Sequence, residues 1–248
     1  MSSSAPSRPV ESIDVELPGA RVAFSTRNGG VSEGPYASLN LGILTDDEAR
    51  RVVENRRRLA TSAGLEPGRV AMGWQVHGTD VLEWSSPPEA GAYAAPGAEL
   101  PRVDGHTTTL ADLGLLVLAA DCLPIALASR RRVAMVHAGW RGLAGGVIER
   151  ALERFDEGPV AAAVGPGIGP CCYEVGPEVL EAFTDLPGVA SGRMLDLKAA
   201  ARRRLESEGV RQVEDVELCT SCRPDLFFSH RRDRGVTGRQ GGLVWRAR

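Results

Sequence analysis

Imidazoles and thiols are scarce in this 248-residue chain: it has four histidines and five cysteines, so any site built on them draws on few positions. No apolar run approaches the roughly 20 residues that cross a bilayer, and no membrane partner is expected. Lys and Arg total 29 against 32 Asp and Glu. That balance offers no basic stripe to track a phosphate backbone, so no nucleic-acid partner is expected either. The odd number of cysteines, and an N-terminal MSSSAPSRPVES without a basic or an apolar region, predict a cytoplasmic protein in a reducing compartment. A cytidine-deaminase-type H-x-E is missing, because His77, His106, His137 and His230 are followed two positions on by Thr79, Thr108, Gly139 and Arg232. G-x-G-x-x-G is missing too. GPGIGP at 165–170 has prolines where a phosphate-binding turn needs free amides, so no dinucleotide site is assigned.

A core is present. Hydrophobic residues make up 43% of the chain, enough for one large domain, and no internal linker interrupts it. Residues 1–14 read as a disordered tail and 15–248 as a single catalytic domain. Strand-like runs are RVAFST, VAMGWQV, VLEW, GLLVLAA, PIALAS, RVAMVHA, VAAAVG, VEDVEL and GLVWRA, many ending in Gly, Pro, Asp or His. Helical periodicity marks DEARRVVENRRRLATSAG, with Val52, Val53, Leu59 and Ala60 on one face, and GGVIERALERF. It also marks DLKAAARRRLESEG, with Asp196 as N-cap and Gly209 as stop. The arginine triplets at 56–58 and 202–204 read as solvated helix faces. Strands outnumber helices without regular β-α-β alternation, which predicts mixed sheets rather than a doubly wound fold.

Three apolar segments deliver chemistry to their ends. RVAMVHAGWRGLAGGVIERAL (132–152) brings His137 to a Gly-rich turn beside Trp140 and Arg141; VAMGWQVHG brings His77, and GLLVLAADC brings Asp121 and Cys122. Taken singly, a strand-end histidine is an ordinary hydrogen-bonded residue and a strand cysteine a small hydrophobe. Taken together, two imidazoles and a thiolate suit zinc, and three protein ligands leave a fourth position open, as in catalytic sites. The same set could work without metal, Cys122 being the nucleophile and a histidine its base. Spacing does not separate the two. CTSC (219–222) has redox or zinc spacing, and Cys171 with Cys172 could complete a tetrathiolate, but adjacent cysteines rarely share a metal, so buried or free thiols are expected.

The strings STRNGGVSEGPYASLNLG (25–42), QVHGTDV (75–81), ADCLPI (120–125), HAGWRGL (137–143), GPGIGPCCYEVG (165–176) and FFSHRRDRGVTGR (227–239) resemble the laccase-domain family, also called YfiH-like or peptidoglycan editing factor proteins. The resemblance spans nearly the whole chain. It implies an α+β fold of two packed mixed β-sheets with helices outside, an α/β/β/α sandwich. It implies His77, Cys122 and His137 as both zinc ligands and catalytic centre. It further implies phosphorolysis of adenosine, inosine, guanosine or methylthioadenosine to base and ribose 1-phosphate, with adenosine deamination as a second activity. The small-molecule partners are then a purine nucleoside and phosphate. Arg27 and Arg141 are the candidates for holding the anion, and Asp121 for handling protons or orienting a ligand.

The older family label, multicopper polyphenol oxidase, meets a residue limit: four histidines cannot build a trinuclear copper centre. A single copper on two histidines, Cys122 and a weak axial Met135 is the form of that alternative the residues allow. A Cys122-dependent hydrolase acting on peptidoglycan precursors is another, and a binding module without turnover a third. One departure from the family pattern is His230 in FFSHRRD, where an aromatic residue, often Tyr, is expected.

Overall fold

The computed structural model describes residues 9–89, 99–156 and 158–247. Its strands are β1 (Ser12–Leu17), β2 (Ala20–Ser25), β3 (Val70–Ala71), β4 (Val81–Trp84), β5 (Gly105–Thr108), β6 (Gly114–Ala119), β7 (Leu123–Ala128), β8 (Val133–Ala138), β9 (Ala161–Val164), β10 (Ala190–Ser191), β11 (Met194–Leu195), β12 (Gln212–Asp215) and β13 (Gln240–Trp245). The α-helices are α1 (Ala49–Ser62), α2 (Trp140–Gly145), α3 (Val147–Leu152), α4 (Pro177–Glu181) and α5 (Leu197–Ser207).

Two sheets dominate. The first runs β1-β2-β13-β6-β3 and the second β12-β9-β7-β8-β5-β4, while β10 and β11 form a separate hairpin. Both are mixed: β3 pairs with β6 in parallel, as do β12 with β9 and β4 with β5, and the other pairings are antiparallel.

Period-two alternation sorts side chains between layers. Val22, Phe24, Leu115, Val117 and Val244 of the first sheet meet Ala126, Ala128, Val133, Met135, Ala161 and Ala163 of the second in one inter-sheet core. The opposite face of the first sheet, with Ala23, Leu116 and Leu243, packs on Leu59 and Ala60 of α1. Ile125, Leu127, Ala134 and Val136 of the second pack on Val147 and Ile148 of α3 and on Ala200, Ala201 and Leu205 of α5. The predicted α+β sandwich with helices outside both sheets is the fold found.

The details differ in four places. β1 begins at Ser12, inside the stretch read as a tail, because SIDVEL pairs in full register with β2; residues 1–8 lie outside the described residues. VAMGWQV is strand only at Val70–Ala71, since the Gln75 amide takes over the pairing with β6: Nε2 donates to the Leu118 carbonyl at 2.7 Å and Oε1 accepts from the Leu118 N–H at 2.7 Å. VEDVEL is strand only to Asp215. Arg56 is not on a solvated face. It is fully buried and donates through Nε and Nη2 to the Leu41 carbonyl at 3.0 and 2.9 Å, while Asn55 beside it is buried and ties α1 to the carbonyls of Ser38 and Asn40.

The connections matter most for the site. The chain passes from the first sheet to the second between β3 and β4, and again between β6 and β7. It returns from the second to the first between β5 and β6 and between β12 and β13. His77 lies in the crossover from β3 to β4 and Asp121 with Cys122 in that from β6 to β7. Arg231 and Arg239 lie between β12 and β13.

Candidate metal centre

His137 is the penultimate residue of β8 and alternates with Met135, so its side chain faces the layer between the sheets. The crossovers carrying His77 and Cys122 arrive at that end. The His77 and His137 ring nitrogens and the Cys122 Sγ all fall within 4.8 Å of one another, with Cys122 Sγ 3.9 Å from His77 Nε2. The two rings stand edge to face, centroids 4.9 Å apart. His137 is buried, Cys122 half-buried and His77 exposed, so the group is open to solvent on one side.

Asp104, fully buried at the start of β5, organises this arrangement. Its Oδ1 lies 2.8 Å from His137 Nδ1 and accepts the His77 N–H at 2.9 Å; its Oδ2 accepts the N–H groups of Val76 and Gly78 at 2.9 and 2.8 Å. One carboxylate thus turns the Nε2 edge of His137 toward the centre and shapes the turn that presents His77. Those hydrogen bonds hold Asp104 below the usual carboxylate range even though burial acts the other way. The sequence reading missed Asp104; the signal was an acid set between Val103 and the Gly105-His106 pair.

Backbone strain marks the same place. His77 has φ of 60° and Asp121 of 97°, a region non-glycine residues rarely occupy, and each immediately precedes or carries a member of the group. The surroundings leave no slack: a Cβ on Gly139 would stand 2.9 Å from His77 Cδ2 and 3.0 Å from Cys122 Sγ.

Electrostatics favour a thiolate. Burial raises the Cys122 pKa, but the charge and hydrogen bonds of His137, with those of His77, outweigh it and bring the thiol down to about 6. Burial likewise disfavours the His137 cation, yet Cys122 and Asp104 lift it to about 9. Both shifts run in the direction of a thiolate–imidazolium pair in the metal-free protein.

Asp121 does not stand free beside Cys122. Its Oδ1 accepts from Thr220 Oγ1 at 2.6 Å and its Oδ2 from the Arg231 N–H at 2.7 Å, joining the β6–β7 crossover to the β12–β13 crossover. Arg141 is stacked on Trp140, at 4.3 Å from the ring centroid. Arg27 donates through Nε to the Ala37 carbonyl and through Nη1 to the Pro224 carbonyl, and lies over Phe228 at 4.6 Å. His106 and His230 are not with the triad: His106 is buried with Nδ1 accepting from Trp84 Nε1, and His230 is exposed. Met135 is fully buried in the inter-sheet core.

Two further groups respond to the centre. Burial, reinforced by the Cys122 charge, pushes the Tyr173 phenol up to about 12 against the Arg231 guanidinium 5.2 Å from its ring centroid. Burial lowers Arg239, while the charges of Cys122 and Asp121 oppose that shift. Both lie in strings that carry the resemblance, yet nothing in their spacing marked them out.

The remaining cysteines are free thiols, Cys171 and Cys222 exposed and Cys172 and Cys219 half-buried, and all four sulfurs, the adjacent pair included, converge within 4.8 Å.

A family profile described as "Multi-copper polyphenol oxidoreductase laccase" matches residues 21–247. The chain belongs to the laccase-domain family. Among its relatives in this family is the purine nucleoside phosphorylase YfiH of Shigella flexneri, 40% identical over 92% of this chain and 94% of that protein. The purine nucleoside phosphorylase YlmD of Geobacillus stearothermophilus is 38% identical over 92% of this chain and 90% of its own. The crystal structure of YlmD from Geobacillus stearothermophilus superposes with a TM-score of 0.84 at 37% identity, covering 93% of each chain. The laccase-domain sandwich therefore extends over nearly all of this sequence. Among the described residues, no helix is long and apolar enough to cross a membrane.

Proposed function

We propose that the chain is a zinc-dependent purine nucleoside phosphorylase. It converts adenosine, inosine, guanosine or methylthioadenosine with phosphate into the free base and ribose 1-phosphate, with adenosine deamination as a second activity, and it works in the cytoplasm. The observation that carries this reading is the convergence of His77, Cys122 and His137 within 4.8 Å in a chain 40% identical to a protein named for that phosphorolysis.

The donor set fits zinc. Two imidazoles and a thiol already inclined to ionise are borderline-soft ligands, and the imidazole of His137 is oriented by a buried carboxylate, as metal-bound histidines commonly are. Zinc held by these three residues would supply Lewis acidity at the reacting atoms. This chain's own residues do the rest. Asp104 fixes the tautomer and direction of His137 through Nδ1. Phosphate is held by guanidinium groups, with Arg141 and Arg27 as first candidates and Arg239 added by the influence of the Cys122 and Asp121 charges on it. Asp121 acts by position, tying the Cys122 turn to Thr220 and Arg231. Tyr173, within the influence of the Cys122 charge, offers a hydroxyl that stays protonated at neutral pH.

Product analysis of purified protein given adenosine, with and without phosphate, tests the reading. Phosphate-dependent adenine and ribose 1-phosphate, lost in His137→Ala, are expected, and inosine formed without phosphate reports the deaminase. Zinc-loaded protein that leaves adenosine untouched overturns it. Oxygen uptake that tracks added copper would mark the phenol oxidase instead. Activity that survives chelation but not thiol alkylation would mark the Cys122 hydrolase.

A further inference from the structure

We infer that Cys171, Cys172, Cys219 and Cys222 form a second, closed metal site that holds zinc as a structural tetrathiolate. The four Sγ atoms lie within 4.8 Å of one another, and Cys222 Sγ is 3.5 Å from Cys171 Sγ and 3.4 Å from Cys172 Sγ. Disulfide sulfurs stand about 2.05 Å apart. Thiolates at roughly 2.3 Å from one zinc stand about 3.8 Å apart at tetrahedral angles, so these separations match a shared ion rather than a bond.

The backbone is built to bring them together. Gly167 bridges Cys219, and the Thr220 N–H donates to the Gly167 carbonyl at 3.0 Å, laying the two cysteine-bearing segments side by side. The N–H groups of Cys172 and Tyr173 both donate to the Gly169 carbonyl at 3.0 Å, a tight turn that swings the adjacent cysteines to one side. The Gly169 N–H donates to Cys219 Sγ at 3.2 Å, a bond that favours the thiolate. A Cβ at Gly169 would stand 3.3 Å from both Cys171 Sγ and Cys219 Cβ, so glycine keeps the cradle open.

Binding releases four thiol protons to solvent and leaves a net charge of −2 on the ion and its ligands. Cations are at hand: Arg232 donates to the carbonyls of Thr220 and Ser221, between two of the ligands, and Arg231 stacks on Tyr173, next to a third. With four protein ligands no position remains for substrate, which makes the site structural. It fastens the turn bearing Tyr173 to the segment bearing Thr220, whose hydroxyl holds Asp121 beside the triad.

Native mass spectrometry of the full-length chain tests this, after stripping under reducing conditions and reloading with zinc or cobalt. Two ions per chain are expected. The His77→Ala/His137→Ala variant should keep one, and Cys171→Ser/Cys222→Ser should keep only the other. Cobalt-loaded wild type should show the charge-transfer bands of an all-sulfur tetrahedral site, and these should persist in the histidine variant. Absence of those bands from the wild type, or a single ion lost with the histidine substitutions alone, overturns the inference. The cobalt spectrum is read on the unaltered chain, so a cysteine variant that folds poorly leaves the test intact. A single ion that survives in the histidine variant and vanishes in the cysteine variant would uphold this site while removing metal from the triad.

Discussion

Gly139 has no room for a side chain, and the atoms that crowd it belong to two of the three candidate ligands. Gly139→Ala should therefore act on the centre rather than on the fold, displacing the His77 ring and Cys122 Sγ. Zinc content and turnover are expected to fall together, while the melting temperature of the metal-free protein changes little; unchanged zinc affinity in a competitive chelator titration would count against it. Asp104→Asn tests the carboxylate behind His137. An amide cannot accept on both sides at once, so either the Val76 and Gly78 N–H groups or the His77 N–H and His137 Nδ1 lose their acceptor, and metal affinity is expected to drop about 10–100-fold. Cys122 gives a third handle. With its thiol lowered to about 6, the metal-free protein should alkylate with a midpoint near pH 6, the rate rising as pH rises through that value. His137→Ala removes the stronger of the two histidine influences that lower it, and the midpoint should move up. Identical midpoints in the two proteins would show that no such pair forms.

At the scale of elements, α5 offers the cleanest check of a local rule. Asp196, chosen as N-cap from its place ahead of an apolar-periodic run, accepts from the Ala199 N–H at 2.9 Å, and Gly209 closes the helix at φ 83°. Asp196→Ala should cost about 1 kcal/mol in urea denaturation and leave turnover unchanged. Elements whose order is set by their own residues were legible in this way: α5, the strands β7 and β8, and the three segment ends that bear His77, Cys122 and His137. What escaped were features set by distant partners. Gln75 ends β3 because its amide pairs with Leu118 of β6, 43 positions away, which a run of apolar residues does not reveal. Arg56 sits in a triplet that looks solvated, and only the Leu41 carbonyl arriving from a neighbouring loop explains its burial. Asp104 contacts a turn 26 to 28 residues earlier and a strand 33 residues later, so nothing near it in sequence announces its role.

For the molecule as a whole, the two sheets are joined at the site by the chain crossings themselves. His77 rides the crossover from β3 to β4 and Cys122 that from β6 to β7, while His137 closes β8 within the second sheet. A metal shared by the three would tie both crossovers to the end of β8. That predicts coupling between metal occupancy and global stability. A ligand that binds the folded state alone stabilises it by RT ln(1 + [L]/Kd), about 2.7 kcal/mol at a hundredfold excess over Kd. Raising free zinc should therefore raise the melting temperature of a single cooperative transition, read by calorimetry across a zinc-buffer series. The four-cysteine cluster would add its own zinc dependence, so the series belongs in the Cys171→Ser/Cys222→Ser background, where the triad alone remains. There His137→Ala should flatten the dependence on zinc without abolishing the transition, since the inter-sheet core of Phe24, Val117, Val244 and the alanines of β7 and β9 is untouched. A melting temperature indifferent to zinc in that background would mean that the crossovers are held by packing and by Asp104 and Asp121 alone, with no ion needed to hold the sheets together.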